Sequence, residues 1–114
     1  MNPAYKVMSI AFLTIASAFA AGPKPQTELE QILYDMGVIG YCSLGSAAVQ
    51  AGFENELNRI IARNRIDQST LNEARNRVIT MVEWEWDNRG LGGFRGWCKS
   101  EGQAAVTRFL SETD

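Results

Sequence analysis

Two cysteines constrain the fold of this chain more than any other feature. Cys42 and Cys98 are the only cysteines, and they lie far apart in the sequence. In an exported protein an even number of cysteines indicates a disulfide. Closing a loop of roughly 57 residues should stabilise the fold by about 4 kcal/mol, a large share of the roughly 5–15 kcal/mol of a typical domain. The alternative is a redox-active pair, but the chain has no Cys-x-x-Cys motif, so the spacing favours a structural disulfide.

The amino terminus has the pattern of a secretory signal peptide. Residues 1–6 carry one positive charge, residues 7–20 are apolar or small, and the run ends in Ala18-Phe19-Ala20. A charged start, an apolar run and an A-x-A end define such a signal, so we expect cleavage after Ala20. The alternative is an uncleaved membrane anchor, but a spanning helix needs about 20 apolar residues, more than this run contains. The pattern therefore predicts a periplasmic or secreted protein with no stable membrane span after cleavage.

The composition of the mature chain argues against several classes of function. Loss of Lys6 changes the net charge from −2 to −3, whereas nucleic-acid binders usually carry a basic excess. The chain has no histidine, which removes the commonest general base and metal ligand and the nucleophile systems that depend on it. We therefore expect no nucleic-acid partner, no cofactor and no metal.

Helical periodicity dominates the rest of the chain and predicts an all-α fold, a small bundle of three to four helices closed by one disulfide. Apolar residues recur every three or four positions, which places helices over residues 28 to about 43, 47 to 65, 70 to 88 and 103 to 110. Residues 27–114 should form a single helical domain, preceded by a flexible segment over residues 21–26.

Helix ends are predicted from capping patterns. Thr27 with Glu30 has the spacing of a capping box, in which the two side chains satisfy each other's backbone N–H groups. Asp67 to Thr70 form the next cap region, where Thr70 with Glu73 has the same capping-box spacing. Gly90 is expected just beyond the third helix, in the left-handed conformation that often ends helices.

Glycines leave two alternatives open. Gly37 and Gly40 lie inside the first helix at a cost of about 1 kcal/mol each relative to alanine, so they mark either close approach of another helix or ordinary tolerance. Residues 90–96 (GLGGFRG) form either a glycine-rich loop or a helix that packs closely along its glycine side. A dinucleotide loop is excluded, because the G-x-G-x-x-G motif requires glycine where Arg95 stands and should follow a strand.

Residues 82–87 (VEWEWD) alternate between apolar and acidic, which is a strand pattern. No second alternating run exists to pair with it, and an isolated strand cannot satisfy its backbone, so we predict helix. On that helix Glu83 and Asp87 share a face, while Glu85 points toward the apolar side. The three carboxylates form either an acidic site flanked by tryptophans, or a solvated face plus one core carboxylate paired with an arginine. The cost of burying an unpaired carboxylate favours the second interpretation.

Aromatic residues are the best candidates for a contact surface. Trp84 falls away from the apolar face of its helix, and Phe94 and Trp97 lie in the glycine-rich region. Tryptophan is enriched where proteins bind one another. The alternative, which we favour, is that the tryptophans fill the core of a small domain.

Short motifs along the chain resemble a known family. They are Leu29-x-x-Ile32-Leu33 leading to Tyr41-Cys42, Asn88-x-Gly90-x-x-Gly93-Phe94 leading to Cys98, and Ala105 with the ending Arg108-Phe109-Leu110. Together they resemble the DUF2385-type family of uncharacterised small exported alphaproteobacterial proteins. In that family threonine typically follows the second cysteine, whereas Lys99 follows it here. The resemblance implies an exported helical domain with paired cysteines and no assigned activity.

Three functions are consistent with these features. The first is a periplasmic protein-interaction module that binds another envelope protein, as an accessory subunit or as an inhibitor or immunity protein. The second is a small cell-wall hydrolase that uses Glu83, Glu85 or Asp87. The third is a periplasmic stress chaperone, but no histidine switch is present to trigger it. The absence of histidine and the position of Trp84 away from the apolar face favour the protein-interaction module. An enzyme is the less favoured interpretation.

Overall fold

A computed structural model describes residues 22–90 and 92–112 of the chain. Within these ranges the protein is helical and contains no strand. It consists of α1 (Glu28–Tyr41), α2 (Ala47–Asn64), α3 (Gln68–Asn88), α4 (Gly93–Trp97), a π-helical turn (Cys98–Gly102) and α5 (Gln103–Ser111). The Cys42–Cys98 disulfide is formed, with the two Cα atoms 5.4 Å apart. The predicted all-α bundle closed by one disulfide is confirmed.

Helix α1 is the centre of the bundle, because it packs against α2, α3, α5 and the π-helical turn. Its buried side chains include Ile32 and Ile39, each 0% exposed. Helices α2 and α5 run antiparallel to α1, whereas α3 runs parallel to it. Among the described elements α2 and α3 do not pack extensively on each other. They lie on either side of α1 and leave part of its surface between them uncovered.

Two predicted capping boxes have different outcomes. Thr27 caps α1 by accepting a hydrogen bond from the Glu30 backbone N–H. The Glu30 carboxylate accepts from the Gln26 N–H at 3.0 Å, one residue beyond the expected donor, and its other oxygen accepts from Arg77 Nε at 2.8 Å. The Glu30 carboxylate therefore both caps the start of α1 and links α1 to Arg77 of α3.

The N-cap of the third helix lies at the start of the predicted cap region, at Asp67 and not at Thr70. Helix α3 begins at Gln68 because Asp67 is its N-cap and accepts from the Thr70 N–H at 2.8 Å. This hydrogen bond lowers the pKa of the Asp67 carboxyl, since it stabilises the charged form. Thr70 is therefore a residue of the first turn. At the other end Gly90 has a φ of +75°, as predicted for a helix-terminating glycine.

Close helix packing explains one of the two glycines in α1. A Cβ on Gly37 would lie 2.8 Å from Val82 Cγ2 of α3, whereas nothing lies within 4 Å of such an atom on Gly40. The tightest approach was not predicted. A Cβ on Gly52 of α2 would lie 2.6 Å from the Phe109 carbonyl carbon of α5. The backbones of α2 and α5 are therefore in close contact at Gly52, which has no side chain to keep them apart.

The glycine-rich segment is a turn followed by a short helix. Gly90 and Gly92 have φ values of +75° and +76°, which reverse the chain after α3, and α4 begins at Gly93. A Cβ on Gly93 would lie 2.9 Å from Arg89 Cβ, whereas one on Gly96 would meet nothing within 4 Å. Close packing at a glycine is therefore confined to the first residue of α4.

Helix α5 is held by an ion-pair network that joins three helices. Arg108 Nη1 lies 2.7 Å from Asp35 Oδ2 of α1, and the same guanidinium pairs with Glu56 of α2. Burial lowers the pKa of Arg108, but the two carboxylates raise it by more, so the net shift is upward. Burial also raises the pKa of the Asp35 carboxyl, and the Glu56 charge adds to this, although Gln31 and Arg108 oppose it.

The predicted signal peptide over residues 1–20 lies outside the described residues. No helix in the described part of the chain is long and apolar enough to cross a membrane. Residues 22–26, expected to be flexible, touch the domain at two points: Gln26 bonds Glu30, and a Cβ on Gly22 would lie 2.8 Å from Trp84 Cδ2.

Candidate functional site

The acidic residues of α3 do not form a common site. Glu83 and Asp87 are exposed, whereas Glu85 is 7% exposed and its Oε1 lies 2.5 Å from Arg89 Nη2. The interpretation of a solvated face plus one core carboxylate paired with an arginine is confirmed. The arrangement on which the hydrolase alternative depended is not present in α3.

Arg89 anchors the end of α3 to the segment that follows. Besides Glu85 it contacts Glu101 Oε2 at 3.2 Å, and its Cζ lies 5.0 Å from the ring centre of Trp97, within the range of a cation–π interaction. Tyr34 lies in the same buried region, where burial and the charges of Glu101 and Glu85 raise its pKa to about 12. This cluster fixes α4 and the π-helical turn against α1 and α3.

Two of the three predicted contact residues are not a free surface. Trp97 is 1% exposed and belongs to the core, because the turn at Gly90 and Gly92 folds α4 back onto α1 and α3. Trp84 is half-buried and lies against Gly22. Although it points away from the apolar face of α3, it is therefore partly covered by the amino-terminal segment of the same chain. The favoured alternative of a core role is confirmed for Trp97.

Phe94, the third predicted residue, belongs to an exposed aromatic cluster with Tyr41 and Trp86. The Trp86 ring centre lies 5.0 Å from that of Tyr41 and 5.0 Å from that of Phe94. The three side chains are 38%, 37% and 36% exposed in the order Tyr41, Trp86, Phe94. Such separations suit favourable aromatic contacts. We call these three residues the aromatic surface.

Sequence reasoning missed two members of the aromatic surface. In the sequence Trp86 stands out only as part of the alternating residues 82–87, and Tyr41 only as a motif residue. The available signal was the spacing of Ile79, Val82 and Trp86 along α3, which continues an apolar stripe at helical intervals. The stripe does not show which of its side chains stay exposed to solvent, because their exposure depends on how the neighbouring helices pack against α3.

The aromatic surface borders a groove beside the disulfide, with a volume of about 500 Å³. We call it the disulfide groove. Its lining combines both cysteines, the aromatic surface and two cations, and it consists of Tyr41, Cys42, Ser43, Trp86, Phe94, Arg95, Cys98 and Lys99. The disulfide holds its two sides together, since Cys42 follows α1 and Cys98 follows α4.

A second groove, of about 410 Å³, lies over α1 between α2 and α3. We call it the interhelix groove. Its lining is mostly apolar and consists of Leu33, Met36, Gly37, Tyr41, Gln50, Phe53, Arg75, Val78, Ile79 and Val82. Tyr41 lines both grooves, so they adjoin at this side chain. Ile79 is 55% exposed and extends the apolar face along α3.

The charged residues in the two grooves are all cations without carboxylate partners. Arg75, Arg95 and Lys99 are the only charged lining residues, and none of them forms an ion pair with a described residue. Five other arginines do form such pairs, namely Arg59, Arg63, Arg77, Arg89 and Arg108. In a chain with a net charge of −2, the grooves thus hold local, unneutralised positive charge.

The described residues contain no cluster of three or more potential ligands that could hold a metal ion. Comparison with known proteins gave no matching family model, no matching curated protein and no matching solved structure. The resemblance to the DUF2385-type family therefore stays a prediction, and the functional argument depends on the geometry of the site.

Proposed function

We propose that this chain is an exported, periplasmic protein-interaction module, an accessory subunit or an inhibitor or immunity protein of an envelope system. Its binding face is the aromatic surface together with the two grooves that meet at Tyr41. The partner is another envelope or periplasmic protein.

The observation that carries the proposal is the grouping of exposed apolar side chains. Among the described residues, four of the five large hydrophobic side chains that remain exposed line these grooves: Tyr41, Ile79, Trp86 and Phe94. Single exposed apolar residues are normal, but a contiguous exposed group marks an interaction site. Aromatic side chains and arginine are enriched in such sites.

The rigidity of the face supports the same function. The aromatic surface lies on α1, α3 and α4. The disulfide and the Arg89–Glu101 ion pair tie α1 and α3 to the π-helical turn that follows α4. A face that is already ordered loses little conformational entropy when it binds a partner. A protein-interaction module gains affinity in this way without a large interface.

The test of export is the intact mass of the protein recovered from periplasm, with and without reduction and alkylation. We expect a mass equal to residues 21–114 less two hydrogens, which rises only after reduction. A full-length mass with two free thiols would show that the chain is neither cleaved nor oxidised.

The test of binding is in-cell photo-crosslinking from a probe amino acid placed at Ile79, compared between variants. Trp86→Ala combined with Phe94→Ala should abolish the crosslinked partner band. Leu110→Ala is the matched control, because Leu110 is 43% exposed and lines neither groove. Both variants should keep the helical circular dichroism of the parent protein. Unchanged crosslinking in the Trp86/Phe94 variant would refute the proposed binding face.

A further inference from the structure

We propose that the occupant of the two grooves is an amphipathic helix of a partner protein that carries acidic residues flanking its apolar stripe. This inference rests on the proposed function and names the chemistry of the partner.

The shape of the uncovered region matches one helix. Helices α2 and α3 flank α1 without extensive packing on each other, and the interhelix groove between them lies where an additional helix of the bundle would pack. The exposed apolar residues on α3 follow one stripe, because Ile79 and Trp86 are seven positions apart. An amphipathic helix laid in a groove binds through residues at the same i, i+3, i+4 and i+7 spacing.

The length of the region sets the length of the occupant. From Arg75 to Trp86 along α3 is about 16 Å at a rise of 1.5 Å per residue. The Phe94 ring centre lies 5.0 Å from that of Trp86. The region therefore spans at most about 21 Å, which a helix of about 14 residues, or four turns, covers.

The charges of the region select an acidic helix over a basic one. Arg75 lies at the interhelix end of the span, whereas Arg95 and Lys99 lie at the disulfide end. None of these cations has a carboxylate partner among the residues that the structure describes. Acidic residues at the two ends of the occupant would pair with them and steer its approach. Glu83 and Asp87 lie farther round α3 and line neither groove.

The experiment uses the disulfide-bonded protein and three synthetic 14-residue helical peptides. The first has an apolar stripe at i, i+3, i+7 and i+11 with glutamates at both ends. The second replaces the glutamates with lysines, and the third keeps the first peptide's composition but scrambles its stripe. Binding is measured by tryptophan fluorescence and calorimetry, at low and at high salt.

We expect the acid-flanked peptide to bind at least tenfold more tightly than the lysine-flanked one, and the scrambled peptide not to bind. Because exposed charges are screened by salt, the difference should shrink as salt is raised. Equal affinity for the two flanked peptides would overturn the inference.

A pair of charge-reversal variants locates the effect. Arg75→Glu with Lys99→Glu should reverse the preference, so that the lysine-flanked peptide binds more tightly. Lys24→Glu with Arg65→Glu changes the net charge by the same amount at exposed cations that line neither groove, and it should leave the preference unchanged. An equal response of both variants would mean that overall charge, not the grooves, selects the peptide, and would overturn the inference.

Failure here is distinguishable from failure of the proposed function. If no peptide binds while the crosslinked partner is still lost on substitution of Trp86 and Phe94, the binding face stands and the acidic helix is wrong. If the protein is instead a dimer that Trp86→Ala converts to monomer, a second copy covers the face, which also overturns this inference. If the partner band survives that substitution, the proposed function itself fails.

Discussion

The contact between Gly52 and Phe109 gives the sharpest prediction about stability. Substitution of Gly52 by alanine places a Cβ 2.6 Å from the Phe109 carbonyl carbon, whereas ordinary contacts are 3.4–4 Å. The obstacle is helix backbone, which cannot rotate away as a side chain can. The Phe109 carbonyl oxygen lies closer still to the new methyl group. Helices α2 and α5 must therefore separate by more than about 1 Å, and a gap of that size forfeits about half or more of each dispersion contact that it opens.

The size of the effect follows from what lies at this interface. Phe109 is 0% exposed and its ring centre is 5.6 Å from that of Phe53, edge to face. Overpacking of a core costs about 1–3 kcal/mol, and weakening the aromatic pair adds up to about 1 kcal/mol. The gain from alanine's higher helix propensity is about 1 kcal/mol. Because the obstacle is rigid helix backbone, the upper part of the overpacking range applies, and the loss of the aromatic pair roughly offsets the propensity gain, so we expect Gly52→Ala to lower the free energy of unfolding by about 2–3 kcal/mol.

Urea denaturation followed by far-ultraviolet circular dichroism measures this change, provided that the slope of the transition is unaltered. Gly40→Ala is the matched control, because it is a helical glycine whose added Cβ meets nothing within 4 Å. It should raise the free energy of unfolding by about 0.5–1 kcal/mol, the propensity gain alone. A Gly52→Ala protein as stable as Gly40→Ala would refute the packing argument.

Three further predictions concern the core, the disulfide and pH. Phe109→Ala should lower the free energy of unfolding by about 3–5 kcal/mol in urea denaturation, because it empties a fully buried site. Replacing Cys42 and Cys98 together by alanine should cost about 4 kcal/mol in the same assay, since it reopens a loop with a sequence separation of 56. Burial raises the pKa of Asp35 in the folded state, so its protonated form favours folding. The free energy of unfolding of the parent protein, relative to Asp35→Asn, should therefore be greatest below the unfolded pKa of about 3.9 and should fall as pH rises through the raised folded value.

Each of these predictions has a contradicting result. A Phe109→Ala change below about 1 kcal/mol would mean that the α2–α5 interface is not packed as described. If the double cysteine variant unfolds at the same urea concentration as the oxidised parent, the disulfide does not stabilise the fold. A difference between parent and Asp35→Asn that grows with pH would show that pairing with Arg108, and not burial, dominates the Asp35 environment.

Several parts of the fold could be predicted because they depend on near neighbours in the sequence. Helix was predicted over the alternating residues 82–87 because the sequence offers no second strand to pair with them. The structure is helical there. The pairing of Glu85 with an arginine on the apolar side follows from i,i+4 geometry, and Arg89 occupies that position. Within the predicted cap region it is Asp67 that caps α3, because its charged carboxylate accepts from the Thr70 N–H and so places Thr70 in the first turn of the helix.

The binding face was only partly predictable, because exposure is a property of the assembled helices. Trp86 and Trp97 are indistinguishable as sequence signals, yet one is 37% exposed and the other 1%. The difference arises at the turn between them, which folds α4 so that Trp97 faces α1 while Phe94 stacks on the outer side of Trp86. Arg108 likewise meets Asp35 and Glu56 across separations of 73 and 52 residues, which no local pattern encodes.

The sequence by itself determined the elements of this protein: four long helices, their approximate ends, and a pair of cysteines able to close the bundle. These follow from periodicity, capping and chain connectivity, which act over a few residues or through a covalent bond. Only the tertiary structure decided that α2 and α3 do not pack extensively on each other over α1, and that Tyr41, Trp86 and Phe94 meet beside the disulfide. It also decided that Arg75, Arg95 and Lys99 form no ion pair with a carboxylate in the described part of the chain. The physical reason is that burial and ion pairing depend on which helix faces pack together, and packing is settled by the whole set of interlocking side chains at once.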